Sequence, residues 1–153
     1  MSEQVKKNKN PRRAARECAV QAIYQWQISA ADASEIIQHF MQYHDFHQVD
    51  KAYWQELVTQ SIQHAADFDE KMQPFLSRSV QEITPVELSI LRVAFYELAS
   101  RLDIPYRVVI NEAVELAKIF GASDSHRFIN GVLDVAAKKL RATEISMRNK
   151  NNS

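Results

Sequence analysis

Glycine is scarce in this chain: two in 153 residues, Gly121 and Gly131, beside four prolines and one cysteine. That scarcity excludes the glycine-rich loops that cradle phosphates or dinucleotides, and the few β-branched runs argue against a sheet. The single cysteine, Cys18, makes no internal disulfide and lacks the paired spacing of a structural zinc site. It falls on the apolar side of the first helix, where packing is its simplest role. No apolar run approaches the roughly 20 residues of a bilayer-spanning helix. The N-terminus is lysine-rich without the apolar segment of a secretory signal, so a cytoplasmic protein with no membrane partner is expected.

An excess of charge of either sign is lacking too, with 19 lysines and arginines against 19 acids. The balance hides a segregation along the chain. Lys6, Lys7, Lys9, Arg12, Arg13 and Arg16 face only Glu3 in the first 16 residues. Lys51 is then the only lysine or arginine before residue 71, amid acids from Glu17 to Glu70, and the chain turns basic again from Lys138. Such blocks point to a defined electrostatic face.

What the sequence does have is apolar residues at three- and four-residue spacing almost throughout, with 46% hydrophobic residues to build a core. The spacing predicts an all-α protein. A first helix buries Ala15, Cys18, Ala19, Ala22, Ile23 and Trp26. A second, opened by Asp32 with Glu35 three residues on, buries Ile36, Ile37, Phe40 and Met41. A third runs long, from near Asp50 through Trp54, Leu57 and Phe68 to Met72, until Pro74 stops it. Thr84, Pro85, Val86 and Glu87 read as a capping box with proline at the first helical position. That helix buries Leu88, Leu91, Phe95, Leu98 and Leu102. The next stripe, Tyr106 to Phe120, ends at Gly121 as a left-handed stop. Ser123 or Asp124 caps the last helix, in which Gly131 is expected to admit a close neighbour. About seven helices are expected, in two small packed bundles. Residues 1–11 read as a disordered basic arm and 143–153 as a disordered tail. Between them, residues 12–142 read as one domain with sub-bundles near 12–73 and 79–142.

The stretch Arg12–Gln27, RRAARECAVQAIYQWQ, carries the sharpest chemistry. Its arginines sit on a helix N-terminus, where the backbone already carries partial positive charge, and an anionic partner relieves that conflict. Phosphate suits both helix N-termini and guanidinium forks, so nucleic acid is the first hypothesis beside a solvated basic tail. A second candidate lies where two helices meet, at Phe120–Phe128, with Asp124 and Arg127 available to base edges and phosphates. Phe120 and Phe128 also suit the core stripes, and on pattern alone the core reading is the stronger of the two. Phe75 with Arg78, in the link after Pro74, is a third. His44, Asp45 and His47 tempt a metal reading, but a solvated turn explains them. Ser123, Asp124, Ser125 and His126 include triad residue types within one helical turn, where capping explains them better. No enzyme, metal or cofactor is expected.

Three strings together carry a resemblance: RRAARECAVQAIYQWQ, PVELSILRVAFYEL (Pro85–Leu98) and DIPYRVVINEAVELAKIFGASDSHRFINGVLD (Asp103–Asp134). The chain resembles the bacterial NusB antitermination-factor family over about residues 12–141. The resemblance implies binding of the boxA element of ribosomal RNA operon transcripts together with NusE, which is small-subunit ribosomal protein ten. The setting it implies is the transcription elongation complex with other Nus factors. It places Arg12, Arg13 and Arg16 in the family's arginine-rich RNA-binding start. Phe75 and Arg78 fall on an RNA-contacting pair, and Phe120, Asp124, Arg127 and Phe128 on a helix-junction RNA site. Glu87 matches a position implicated in the NusE contact. Ala14 departs, standing where close relatives can carry a third consecutive arginine. The family's helical domain also occurs fused to a ribosomal RNA cytosine methyltransferase, whose glycine-rich cofactor loop this sequence does not contain. A helical protein–protein adaptor without sequence-specific RNA binding is the alternative.

Overall fold

In the computed structural model, which describes residues 10–151, helix starts follow the local capping chemistry. Asn10 accepts the Arg13 N–H at 2.6 Å and opens α1 (Pro11–Ile28), with proline at the first helical position. Asp32 accepts the Glu35 N–H at 3.0 Å and opens α2 (Ala33–Tyr43). The Glu35 N–H and the Ser34 hydroxyl, which donates at 2.9 Å, favour the ionised form and hold the Asp32 carboxyl below its usual range. Asp50 does the same for α3 (Lys51–Gln63) through the Tyr53 N–H at 3.0 Å. Then follow α4 (Ala65–Met72), two single 3-10 turns at Gln73–Phe75 and Val80–Glu82, α5 (Pro85–Ser100), α6 (Tyr106–Phe120), α7 (Ser125–Leu140) and α8 (Ala142–Asn151). All regular structure among the described residues is helical.

The chain divides into two compact units, one through Ala65 and one from Ala66. In the N-terminal unit α1 packs on α3, and α2 touches both. The alanine-rich face of α1 (Ala15, Ala19, Ala22) lets the helices approach closely around the fully buried Ile23, Trp54 and Leu57. In the C-terminal unit α6 and α7 form the most extensive pair, and both pack on α5. Residues 89–98 of α5 are all buried, as expected for the central helix of a bundle. The Phe68 ring meets Phe95 at 5.4 Å, and Arg92 grips Asp69 through two bonds of 3.1 and 2.6 Å.

Several expectations change. The long third helix breaks at His64, and the unit boundary falls beside that break rather than near residues 73–79, because Phe68 and Asp69 belong with α5. Residues expected to form a disordered tail are helical through Asn151. There Arg141, 3% exposed, donates to the carbonyls of Leu98 (2.7 Å), Ile104 (2.9 Å), Glu97 (3.1 Å) and Arg101 (2.9 Å) and pairs with Glu144. Glu144 in turn accepts the Tyr106 N–H at 3.0 Å, capping α6, whose N-cap Pro105 offers no side-chain bond. Leu102 is 66% exposed, since α5 ends at Ser100 and Ile104 takes the inward place. Met41 is exposed as well.

Neither glycine plays its expected part. Gly121 has φ −92°, an ordinary extended conformation; what it needs is space, because a Cβ there would meet the Ser125 Cβ at 2.7 Å and the Ala117 carbonyl at 2.8 Å. Gly131 has nothing within 4 Å of the place a Cβ would take. Of the disordered arm expected over residues 1–11, Asn10 and Pro11 instead cap and open α1, and the rest, with Lys6, Lys7 and Lys9, lies outside the described residues.

Candidate nucleic-acid interface

In the N-terminal unit, the Asp50 N–H donates to the Pro11 carbonyl at 3.0 Å, joining the start of α3 to the start of α1. Tyr53, one turn into α3, thereby comes under the arginine turn. Arg12 and Arg16 lie four residues apart on one helix face, and their guanidinium carbons sit 4.5 and 5.7 Å from the Tyr53 ring centroid. Arg12 and Arg13 are exposed, whereas Arg16 is 3% exposed. Arg16 therefore differs from the expectation of a phosphate contact: it is the inner member of the pair and packs against the buried Tyr53. Ala14 is also buried, so the missing third arginine falls on an inward-facing position.

In the C-terminal unit, tertiary structure gathers three segments that the sequence keeps far apart. The 3-10 turn bearing Phe75 packs on α7. Gln73 braces the link that follows, donating to the Arg78 carbonyl at 3.1 Å and accepting the Val80 N–H at 3.2 Å. The link delivers Arg78 over the face of Phe128, 4.1 Å from guanidinium carbon to ring centroid. Phe75, Arg78, Phe120 and Phe128 are all half-buried, intermediate between the core and stacking readings; Asp124 and Arg127 are exposed. Asp124 precedes α7 but makes no side-chain cap.

Glu87 is buried at the start of α5. The expected capping box is formed in one direction: the Glu87 N–H donates to the Thr84 hydroxyl at 3.2 Å, and that hydroxyl, not the Thr84 N–H, reaches the Glu87 carboxylate at 3.1 Å. Glu87 also accepts the Ser125 hydroxyl at 2.9 Å and lies 3.7 Å from the Arg78 guanidinium. The Ser125 hydroxyl accepts the Ala122 N–H at 3.1 Å, fixing the turn between α6 and α7. Sequence reasoning missed Tyr53 and the bond from Ser125 to Glu87, because the partners that matter, Arg12 and Arg16 for one and Glu87 for the other, lie about forty positions away. A tyrosine one turn after a capping aspartate and a serine beside Asp124 were the only local hints.

Among the described residues no three histidine, cysteine or acidic side chains converge as a metal site. His44 of the candidate loop stacks on Phe40 and lies 3.0 Å from the Cys18 sulfur. Among the same residues, no helix is long and apolar enough to cross a membrane.

Residues 13–138 match the model of the NusB family. The chain is 50% identical over 137 residues to a transcription antitermination protein NusB of Buchnera aphidicola, covering 90% of this chain and 95% of that protein. It is 53% identical over 130 residues to the Proteus mirabilis protein of the same name, covering 85% and 95%. The structure is similar to T. maritima NusB, with a TM-score of 0.75 and 30% identity over 86% of this chain and 93% of that one. It shares its fold with a NusB solved with NusE and double-stranded RNA, at a TM-score of 0.73 and 24% identity over 82% and 95%. With its family's helical order, its arginine-rich first turn and a family match over most of its length, this chain belongs to the NusB family of transcription antitermination proteins.

Proposed function

We propose that this protein is a non-enzymatic, cytoplasmic antitermination factor that binds the boxA element of ribosomal RNA operon transcripts together with NusE, within an elongation complex containing other Nus factors. The observation that carries the reading is the guanidinium of Arg78 held against the Phe128 ring, beside the exposed Asp124 and Arg127. A half-exposed ring with a cation on it offers a base a stacking platform and a phosphate a counter-charge. Arg12 and Arg13 supply phosphate contacts that carry no sequence information, and the Phe120–Phe128 junction reads bases. Arg16 contributes through Tyr53, by holding the surface on which Arg12 rests. The NusE contact falls at the start of α5, which Glu87 anchors from within.

Salt-titrated binding of boxA RNA and a scrambled RNA, with and without NusE, tests this. Tighter binding of boxA, a steep salt dependence and a further gain with NusE are the expected results. Binding without salt dependence or sequence preference favours the protein–protein adaptor instead. Methyl transfer from S-adenosylmethionine to RNA by this chain overturns the non-enzymatic assignment.

A further inference from the structure

We infer that Glu87 is a positioning residue of the RNA site: one buried carboxylate that holds the Arg78 guanidinium over Phe128 and fixes the α6–α7 turn. The inference rests on the RNA-binding reading above. Three segments meet at this carboxylate. Oε1 accepts the Thr84 hydroxyl at 3.1 Å and lies 3.7 Å from the Arg78 Nη2; Oε2 accepts the Ser125 hydroxyl at 2.9 Å. The Ser125 hydroxyl passes the constraint on by accepting the Ala122 N–H, and its Cβ and Oγ fill the space that a side chain at residue 121 would need.

Folding alone does not call for a charge here. A buried carboxylate is expensive to desolvate, and a neutral amide could bridge the same two hydroxyls, accepting one through its oxygen and donating to the other through its NH2 group. What the charge adds is attraction for Arg78, whose side chain stays 37% exposed while that of Glu87 is 8% exposed. Without it the guanidinium keeps only its contact with the ring, and RNA must order it on binding. Ordering a long side chain at the moment of association lowers affinity, whereas a pre-placed one does not. The structural relationship is therefore of an inner acid setting the direction of an outer base.

The test is a double-mutant cycle on the full chain, read as boxA and scrambled RNA binding alongside thermal melting. Glu87→Gln is expected to stay folded and bind boxA about fivefold more weakly. Glu87→Gln combined with Arg78→Ala is expected to bind no worse than Arg78→Ala alone, because both changes remove the same placed guanidinium. A folded Glu87→Gln protein with wild-type affinity, or losses that simply multiply, overturns the inference. Ser125→Ala keeps the Glu87–Arg78 pair and cuts only the link to the turn, so it serves even if Glu87→Gln does not fold. It should reduce boxA-over-scrambled discrimination about threefold, and unchanged discrimination in folded protein overturns the inference. Failure of the wild type to distinguish the two RNAs defeats the RNA reading itself, a separable result.

Discussion

Arg78 and Phe128, fifty positions apart in the chain, form a cation–π pair with 4.1 Å between guanidinium carbon and ring centroid. The pair occupies the edge of a helix junction whose turn is tied to the buried Glu87 through Ser125. The pair is tied down on its inner side and open on its outer side, the arrangement that the proposed stacking of RNA bases requires.

Replacing Phe128 by alanine should reduce the preference for boxA over scrambled RNA, with a loss of about 1–3 kcal/mol where a base stacks on the ring. Asp124→Ala should act in the same direction without altering stability, because Asp124 makes no side-chain cap. Parallel titrations of both RNAs, with a melting curve for each variant, check this. Equal weakening toward both RNAs would contradict base reading at the junction.

Arg13→Ala should weaken boxA and scrambled RNA alike and lower the slope of log affinity against log salt by about one, as follows when one fewer phosphate is neutralised. Arg16→Ala should chiefly lower stability, since the residue is 3% exposed against Tyr53. Chemical denaturation beside the salt titration separates the two.

The glycines give opposite expectations. Gly121→Ala places a methyl group 2.8 Å from the Ala117 carbonyl oxygen and should destabilise the protein by about 1–3 kcal/mol. Gly131→Ala meets open space in mid-helix and should stabilise it by about 0.5–1 kcal/mol through helix propensity. Urea midpoints of the two variants decide it.

Arg141→Ala should be the most damaging single change in the C-terminal segment. It leaves four carbonyls, those of Glu97, Leu98, Arg101 and Ile104, without their shared donor, and a destabilisation of roughly 3 kcal/mol or more is expected from thermal or urea melting. Arg141→Lys should not restore it, because one ammonium lacks the planar fork that reaches several acceptors. Glu144→Ala should cost less, removing the Tyr106 cap and one side of the ion pair.

Helix identity and most helix starts are written locally. Asn10, Asp32, Asp50 and Thr84 each accept a backbone donor within their own first turn, and such bonds need nothing from the rest of the chain. The apolar stripes are likewise a matter of spacing, and so Ile23, Leu57, Phe95, Leu98 and Ile129 are buried where the periodicity puts them. Helix ends are less legible. The break at His64 follows from where Phe68 and Asp69 find partners, and α8 is held through the bonds of Arg141 and Glu144 to residues about forty positions earlier.

The sequence by itself determined an all-helical chain with exposed cations on its first turn, because helical period and capping are short-range properties. Only tertiary structure decided which arginine faces inward, as Arg16 does over Tyr53, and that the separate Phe75–Arg78 and Phe120–Phe128 segments share one surface. Spacing along a helix says which side chains share a face. It says nothing of which distant ring or carboxylate that face will meet, and those meetings set the direction in which each charge points.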